Sequence, residues 1–249
     1  MTPESPLKIM NYSRSLGHFL ENRGVFLKNI TAEIIKQQNT SMEMNLLHNL
    51  KARLQIKTAP TENNDVTVST MLNCSMHLGH SKSYWNPNMA KFILGERSGI
   101  HIIDLEKTLA CLRQAASVTA EIANKGGKIL FVGTSEKLQR MTYEAASYCN
   151  QFYVNQRWIG GTISNSKSII GSNVKPDLVI IFDLKKNLVA AQECDKGNVP
   201  LIAVCDTDCD PRSITYPIPA NDESLPGLEL VAKSLAIAAK KGIEGKIIS

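Results

Sequence analysis

The chain has 249 residues, 43% of them hydrophobic, and a formal net charge of +5. That is enough for one α/β domain with a true core plus an extension, and no apolar run reaches the ~18 residues expected of a membrane helix. The six cysteines (Cys74, Cys111, Cys149, Cys194, Cys205 and Cys209) contain no CxxC pair; they read as reduced thiols and argue against a disulfide framework.

The charge is unevenly spread. Residues 1–66 carry 8 Lys+Arg against 6 Asp+Glu, residues 67–175 carry 12 against 6, and residues 176–249 carry 8 against 11. A basic middle with a mildly acidic end fits a protein with one phosphate-facing side. Ordinary solubilising surface charge fits the same totals.

Near the N-terminus Lys8, Arg14, Arg23 and Lys28 alternate with Ser13, Ser15, Leu16, Phe19 and Leu20. This resembles an organellar transit segment, interrupted by Glu4 and Glu21; an uncleaved extension fits it equally. Thr40 and Glu43 have capping-box spacing, and Met44, Leu47, Leu50 and Leu54 follow on one helical face. An amphipathic helix is expected over about 41–57, stopped before Pro60. Thr61–Asp65 reads as a linker, so residues 1–66 form an N-terminal extension and residues 67–249 the main domain.

From Val66 the pattern alternates between strand and helix. Ile100–Ile103 is β-rich, Asp104 can cap the helix after it, and Gly126-Gly127 stops that helix. Lys128–Val132 is a buried-type strand, Gly133-Thr134-Ser135 turns into a helix over 135–149, and Phe152–Val154 is another strand. Leu178–Phe182 is a continuous apolar run, as in a parallel strand buried on both faces. A helix over Asn187–Lys196, a strand over Pro200–Cys205, an edge strand marked by Pro217 and Pro219, and a helix over Glu223–Lys241 complete the chain. Repeated strand–helix–strand units predict an α/β fold: a flavodoxin-like, doubly wound parallel sheet with helices on both faces, plus the N-terminal helical extension.

The chemistry-bearing residues favour binding over catalysis. Gly133-Thr134-Ser135, between a strand and a helix, can hold a phosphate on backbone N–H groups, but no GxGxxG or GxxxxGK[ST] accompanies it; a plain helix cap by Thr134 or Ser135 is the simpler reading. Asp206, Asp208 and Asp210 resemble the start of an EF-hand. Pro211 and Pro217 stand where glycine and glutamate are required, so that motif is rejected. A mixed site of His80, Asp206 and Asp210 for a structural divalent metal stays open beside simple Asx turns. No GxSxG elbow occurs. Basic and aromatic residues interleave at His80, Lys82, Trp85, Asn86, Lys91 and Arg97, and again at Arg157, Trp158, Gly160, Gly161 and Lys167. Cations neutralise phosphates and indoles stack on unpaired bases. These eleven are the candidate RNA-binding residues, with core packing as the competing role for each tryptophan.

Several blocks occur in a telling order: His77-Leu78-Gly79-His80, Trp85-Asn86-Pro87, Phe92–Gly95, Gly99–Leu105, Gly127–Thr134, Arg157-Trp158-Ile159-Gly160-Gly161, Pro176-Asp177, Asp206–Pro211 and Ile218–Asp222. Over about residues 70–242 the chain resembles small-subunit ribosomal protein number two of the bacterial and organellar type. The resemblance implies a non-catalytic flavodoxin-like domain that binds small-subunit rRNA and neighbouring ribosomal proteins close to the mRNA exit, with no membrane partner and no cofactor. It departs from the family in one place. Bacterial members carry a long helical hairpin after the Arg-Trp-Gly-Gly loop, and here only Ser166–Lys175 separates Asn165 from Pro176. That loss and the extension are more like a mitochondrial member, acting in the matrix on the mitochondrial ribosome. The alternative is a flavodoxin-like enzyme using a nucleotide or a metal at the strand ends.

Overall fold

The computed structural model describes residues 66–165 and 175–248. The helix expected over about 41–57 and the candidate Lys167 lie outside the described residues.

Five strands form a parallel sheet: β4 (Ile129–Val132), β5 (Phe152–Val154), β6 (Leu178–Ile181), β7 (Leu201–Cys205) and β8 (Tyr216–Pro219). Their spatial order is β5-β4-β6-β7-β8, which is the flavodoxin-like order 2-1-3-4-5. β4, β5, β6 and β7 are buried at every position, as their unbroken apolar runs predict for strands covered on both faces. β8 takes an edge, where Pro217 and Pro219 cost no ladder bonds on the open side.

Alternate residues feed two cores because side chains along a strand alternate faces. Ile129, Phe131, Ile180, Ile202 and Val204 pack with Leu112, Met141, Leu228 and Leu235. These last come from α2 (Leu105–Asn124), α3 (Gln139–Tyr148) and α5 (Leu225–Ile248). On the other face Leu130, Val132, Val179, Ile181 and Ala203 pack with Ala190, Ala191 and Cys194 of α4 (Leu188–Lys196), together with Met89, Phe92 and Trp158. Among the described residues α2, α3 and α5, with Met71 of the short helix Val68–Asn73, cover one face. The short α4 and irregular segments cover the other.

Local signals account for the helix ends. Asp104 accepts from the N–H groups of Glu106 and Lys107 at 3.1 and 3.5 Å and caps α2, as expected. Helix α5 runs past its expected end at Lys241 to Ile248, through Gly242. The reason is tertiary: a Cβ on Gly242 would stand 2.2 Å from the Ala120 carbonyl oxygen, so glycine permits α5 to lie hard against α2.

Ahead of the parallel sheet is a feature absent from the strand–helix expectation. After α1 (Val68–Asn73), β1 (Leu78–Ser81), β2 (Ile93–Arg97) and β3 (Ile100–Ile103) form a separate antiparallel sheet, ordered β1-β3-β2. It is joined to the parallel sheet through Thr207, whose Oγ1 accepts from the His80 N–H at 2.9 Å and whose carbonyl accepts from the Asn86 N–H at 2.8 Å.

Candidate nucleic-acid interface at the carboxyl edge of the sheet

In an open parallel sheet, ligands gather beyond the carboxyl ends of the strands where the strand order reverses. Here that point lies between β4 and β6. The side chain of Asp183, directly after β6, fills it. Its carboxylate accepts from the Ser135 N–H at 2.9 Å, the Ser135 hydroxyl at 2.6 Å and the Thr134 N–H at 3.4 Å. Ser135 makes no side-chain cap bond to the helix that follows. Gly133-Thr134-Ser135 is therefore neither a free phosphate cradle nor a hydroxyl-capped helix start; the protein's own carboxylate occupies the place of an anion.

Beside it runs the loop after β5. Trp158 is only 9% exposed and belongs to the second core. Its Nε1 donates to Glu193 Oε1 at 3.3 Å. Glu193, on α4, also accepts from the N–H groups of Gly161 at 2.6 Å and Ile163 at 3.1 Å. Gly161 has φ +93°, a conformation open to glycine at little cost. One buried carboxylate thus holds the indole and two backbone amides. This corrects the placing of Trp158 among the base-stacking candidates: its face is packed against protein, and it anchors the loop. Arg157 and Gly160 stay exposed on the loop's outer side.

A cleft of about 790 Å³ opens between this loop and the segment after β6. Arg157, Trp158 and Gly160 line it from the loop, and Lys186, Asn187 and Val189 from the other segment. The sequence reading missed Lys186 and Asn187. Their position immediately after a central strand was the available signal, and it was taken only as a helix start.

Further along the edge lies an ionic cluster. His80 Nδ1 lies 3.0 Å from Asp206 Oδ2, a charge contact rather than an aligned hydrogen bond, and Nε2 lies 3.9 Å from Asp208 Oδ2. Burial disfavours the imidazolium, but Asp206 and Asp208 overcome it and raise the His80 pKa above its ordinary value. Lys185 is bonded to Asp208, lies 3.1 Å from His80 Nε2 and 3.9 Å from Asp222. Burial followed by repulsion from Asp206 pushes the Asp222 carboxyl up.

The expected metal set of His80, Asp206 and Asp210 is corrected here. Asp208, not Asp210, joins His80 and Asp206, with ligand atoms within 4.8 Å of one another. Asp210 turns away to pair with Arg212 at 2.7 Å and to cap the turn at Pro211–Ser213. Lys185 already supplies positive charge inside the cluster.

The remaining candidates sit on or near the antiparallel sheet. Lys82 is exposed but paired with Glu96 at 2.7 Å. Asn86 caps a turn, its Oδ1 accepting from the Asn88 N–H at 2.9 Å. Lys91 is exposed, its ammonium 4.8 Å from the Phe92 ring centre, and Arg97 is exposed at the end of β2. Trp85 is 37% exposed and meets the buried His101 edge-on at 5.2 Å, so part of its indole faces outward.

Fold and site together define a flavodoxin-like α/β scaffold in which Asp183 occupies the switch point and a cleft lined by the exposed cations Arg157 and Lys186 opens beside it. Comparison with known proteins places it further. Residues 71–175 and 168–242 match the family described as Ribosomal protein S2. Among similar proteins, "Small ribosomal subunit protein uS2c" of Galdieria sulphuraria is 37% identical over 218 residues, covering 71% of this chain and 94% of that protein. "Small ribosomal subunit protein uS2" of Rickettsia peacockii and that of Rickettsia conorii are each 35% identical over 224 residues, covering 72% of this chain and 76% of theirs. The chain belongs to the ribosomal protein S2 family. It has a structural role in the small ribosomal subunit and is not an enzyme.

Proposed function

We propose that the chain binds rRNA in the small subunit of a mitochondrial ribosome, close to the mRNA exit and in contact with neighbouring ribosomal proteins. The observation that carries the RNA-binding reading is the set of exposed cations, Arg157 and Lys186 lining the cleft beside the carboxyl edge and Lys91 and Arg97 on or near the antiparallel sheet. Cations held on a rigid edge suit a polyanion, because each phosphate they neutralise releases counterions.

The organelle assignment rests on the sequence. Residues 1–66 carry the Arg/Lys/Ser-bearing start, and the family match falls in two pieces that overlap at 168–175, in the short segment where the hairpin of bacterial members would stand. The test is sucrose-gradient fractionation of purified mitochondria from cells expressing a tagged chain. Co-migration with small subunits, reversed by high salt, is expected. Recovery in plastids or with cytosolic ribosomes would overturn the mitochondrial reading, and migration as a free protein would overturn the ribosomal one.

A further inference from the structure

We infer that the cleft between Arg157 and Lys186 receives one unpaired nucleotide of an RNA strand, with its phosphate between the two cations and its ribose hydroxyl against Asn187. This rests on the proposed RNA-binding role and gives it a particular site.

Three observations converge on it. First, Arg157 and Lys186 are both exposed and both line the cleft, and neither has an ion-pair partner among the described residues. Lys185, next in the chain, is by contrast absorbed by Asp208. Two unneutralised cations across a cleft of about 790 Å³ suit one phosphate with an attached nucleoside.

Second, Asn187 borders the same cleft, is 1% exposed, and leaves its Oδ1 without a hydrogen-bond partner among the described residues. Its amide orientation follows from its neighbours. Nδ2 donates to Thr134 Oγ1 at 3.1 Å, to the Asp183 carbonyl at 3.0 Å and to the Asp183 carboxylate. A flip would set oxygen against those acceptors. A buried acceptor without a donor is costly, and it calls for an O–H or N–H rather than another anion. A ribose 2′-hydroxyl beside the phosphate supplies one.

Third, Val189, 53% exposed, and Trp158 both line the cleft, which gives the base apolar surface. The Asp183 carboxylate closes the deeper anion position at Ser135, so the phosphate is confined to the outer pair of cations.

The test uses the full chain and an Arg157→Gln/Lys186→Gln variant, whose exposed positions leave the core intact, as circular dichroism will verify. Each is titrated by fluorescence anisotropy with an oligouridylate of about 12 nucleotides and with its deoxyuridine counterpart, at several salt concentrations. Both are also scored for co-sedimentation with small subunits. The expected result is about tenfold weaker ribo-oligomer binding in the variant, and a salt slope shallower by about 0.7, the value of one phosphate no longer neutralised. The wild type is expected to prefer the ribo-oligomer about fivefold, the value of one hydrogen bond.

A control with Lys125→Gln and Lys233→Gln, at the C-cap of α2 and on α5, removes the same charge; an equal loss there would overturn the cleft as the site. Unchanged affinity and slope in the Arg157/Lys186 variant, with the wild type still on small subunits, overturns the cleft and leaves the ribosomal role standing. Equal wild-type affinity for the two oligomers overturns the hydroxyl contact. Lost co-sedimentation with unchanged oligomer binding makes the cleft a protein-docking surface and overturns the nucleotide assignment. A wild type that neither sediments with subunits nor binds the ribo-oligomer overturns the RNA-binding role itself.

Discussion

Glu193 accepts a hydrogen bond from the Gly161 N–H at 2.6 Å, and the same carboxylate oxygen takes the Trp158 indole N–H at 3.3 Å. The most distinctive loop of the chain is therefore shaped by a residue 32 positions away, in the last turn of α4. The exposed reach of Arg157 depends on that buried acceptor.

Glu193→Gln should show this directly. The amide keeps the shape but offers one acceptor oxygen where two now serve three donors, and it brings its own NH2 against them. A loss of about 2 kcal/mol is expected, the order of one or two buried donors left unmatched. In a Trp85→Phe background Trp158 is the only indole, so a red-shifted emission would report the loop coming away from the core. Unchanged emission and urea midpoint would mean that packing alone holds Trp158.

Asp183→Ala removes the carboxylate that closes the switch point. The Ser135 N–H, the Ser135 hydroxyl and the Asn187 amide lose an acceptor, and a destabilisation of about 3 kcal/mol is expected. The variant also uncovers a backbone anion site between a strand and a helix. Inorganic phosphate should raise the variant's melting temperature by more than it raises that of the wild type. If phosphate shifts both equally or affects neither, Asp183 is not standing in for an anion.

The packing of α5 on α2 makes a paired prediction. Gly242→Ala forces the two backbones apart at Ala120 and should cost about 1–3 kcal/mol. Gly245→Ala, one turn on and open to solvent, meets nothing within 4 Å; it should stabilise by about 0.5–1 kcal/mol through helix propensity. Thermal denaturation of the two variants separates close approach from propensity, and equal shifts would contradict it.

The His80 cluster predicts a pH dependence. Burial opposes the charge, but Asp206 and Asp208 raise the folded pKa above the unfolded value of about 6.5. The stabilisation is therefore complete below about pH 6.5 and is lost as the pH climbs through the folded value. The raised Asp222 carboxyl acts with the same sign at lower pH, since ionising it costs stability. Urea midpoints should fall as the pH rises from about 6 to about 8, and His80→Gln should flatten that slope. A wild-type midpoint that rises over this range would contradict the assignment.

Much of the fold is legible in the linear chain because its causes are local. The apolar runs at Ile129–Val132 and Leu178–Ile181 read as strands covered on both faces, and Pro217 and Pro219 consign β8 to an edge. Asp104 announces the start of α2. The antiparallel pairing of β1, β2 and β3 was less visible, since their short, partly exposed stretches show neither continuous burial nor clean alternation.

The sequence by itself determined the alternation of strands and helices, the family, and a basic, aromatic-bearing set of candidate contacts. Tertiary structure alone decided which of them face outward. Trp158 meets Glu193 across 35 positions, Ser135 meets Asp183 across 48, and His80 meets Thr207 across 127. It also placed Asp208 rather than Asp210 beside His80. No local pattern encodes such partners, because the parallel sheet brings the ends of separate strands to one edge, and only there do desolvation and hydrogen-bond satisfaction choose which charges stay buried and which remain free to bind.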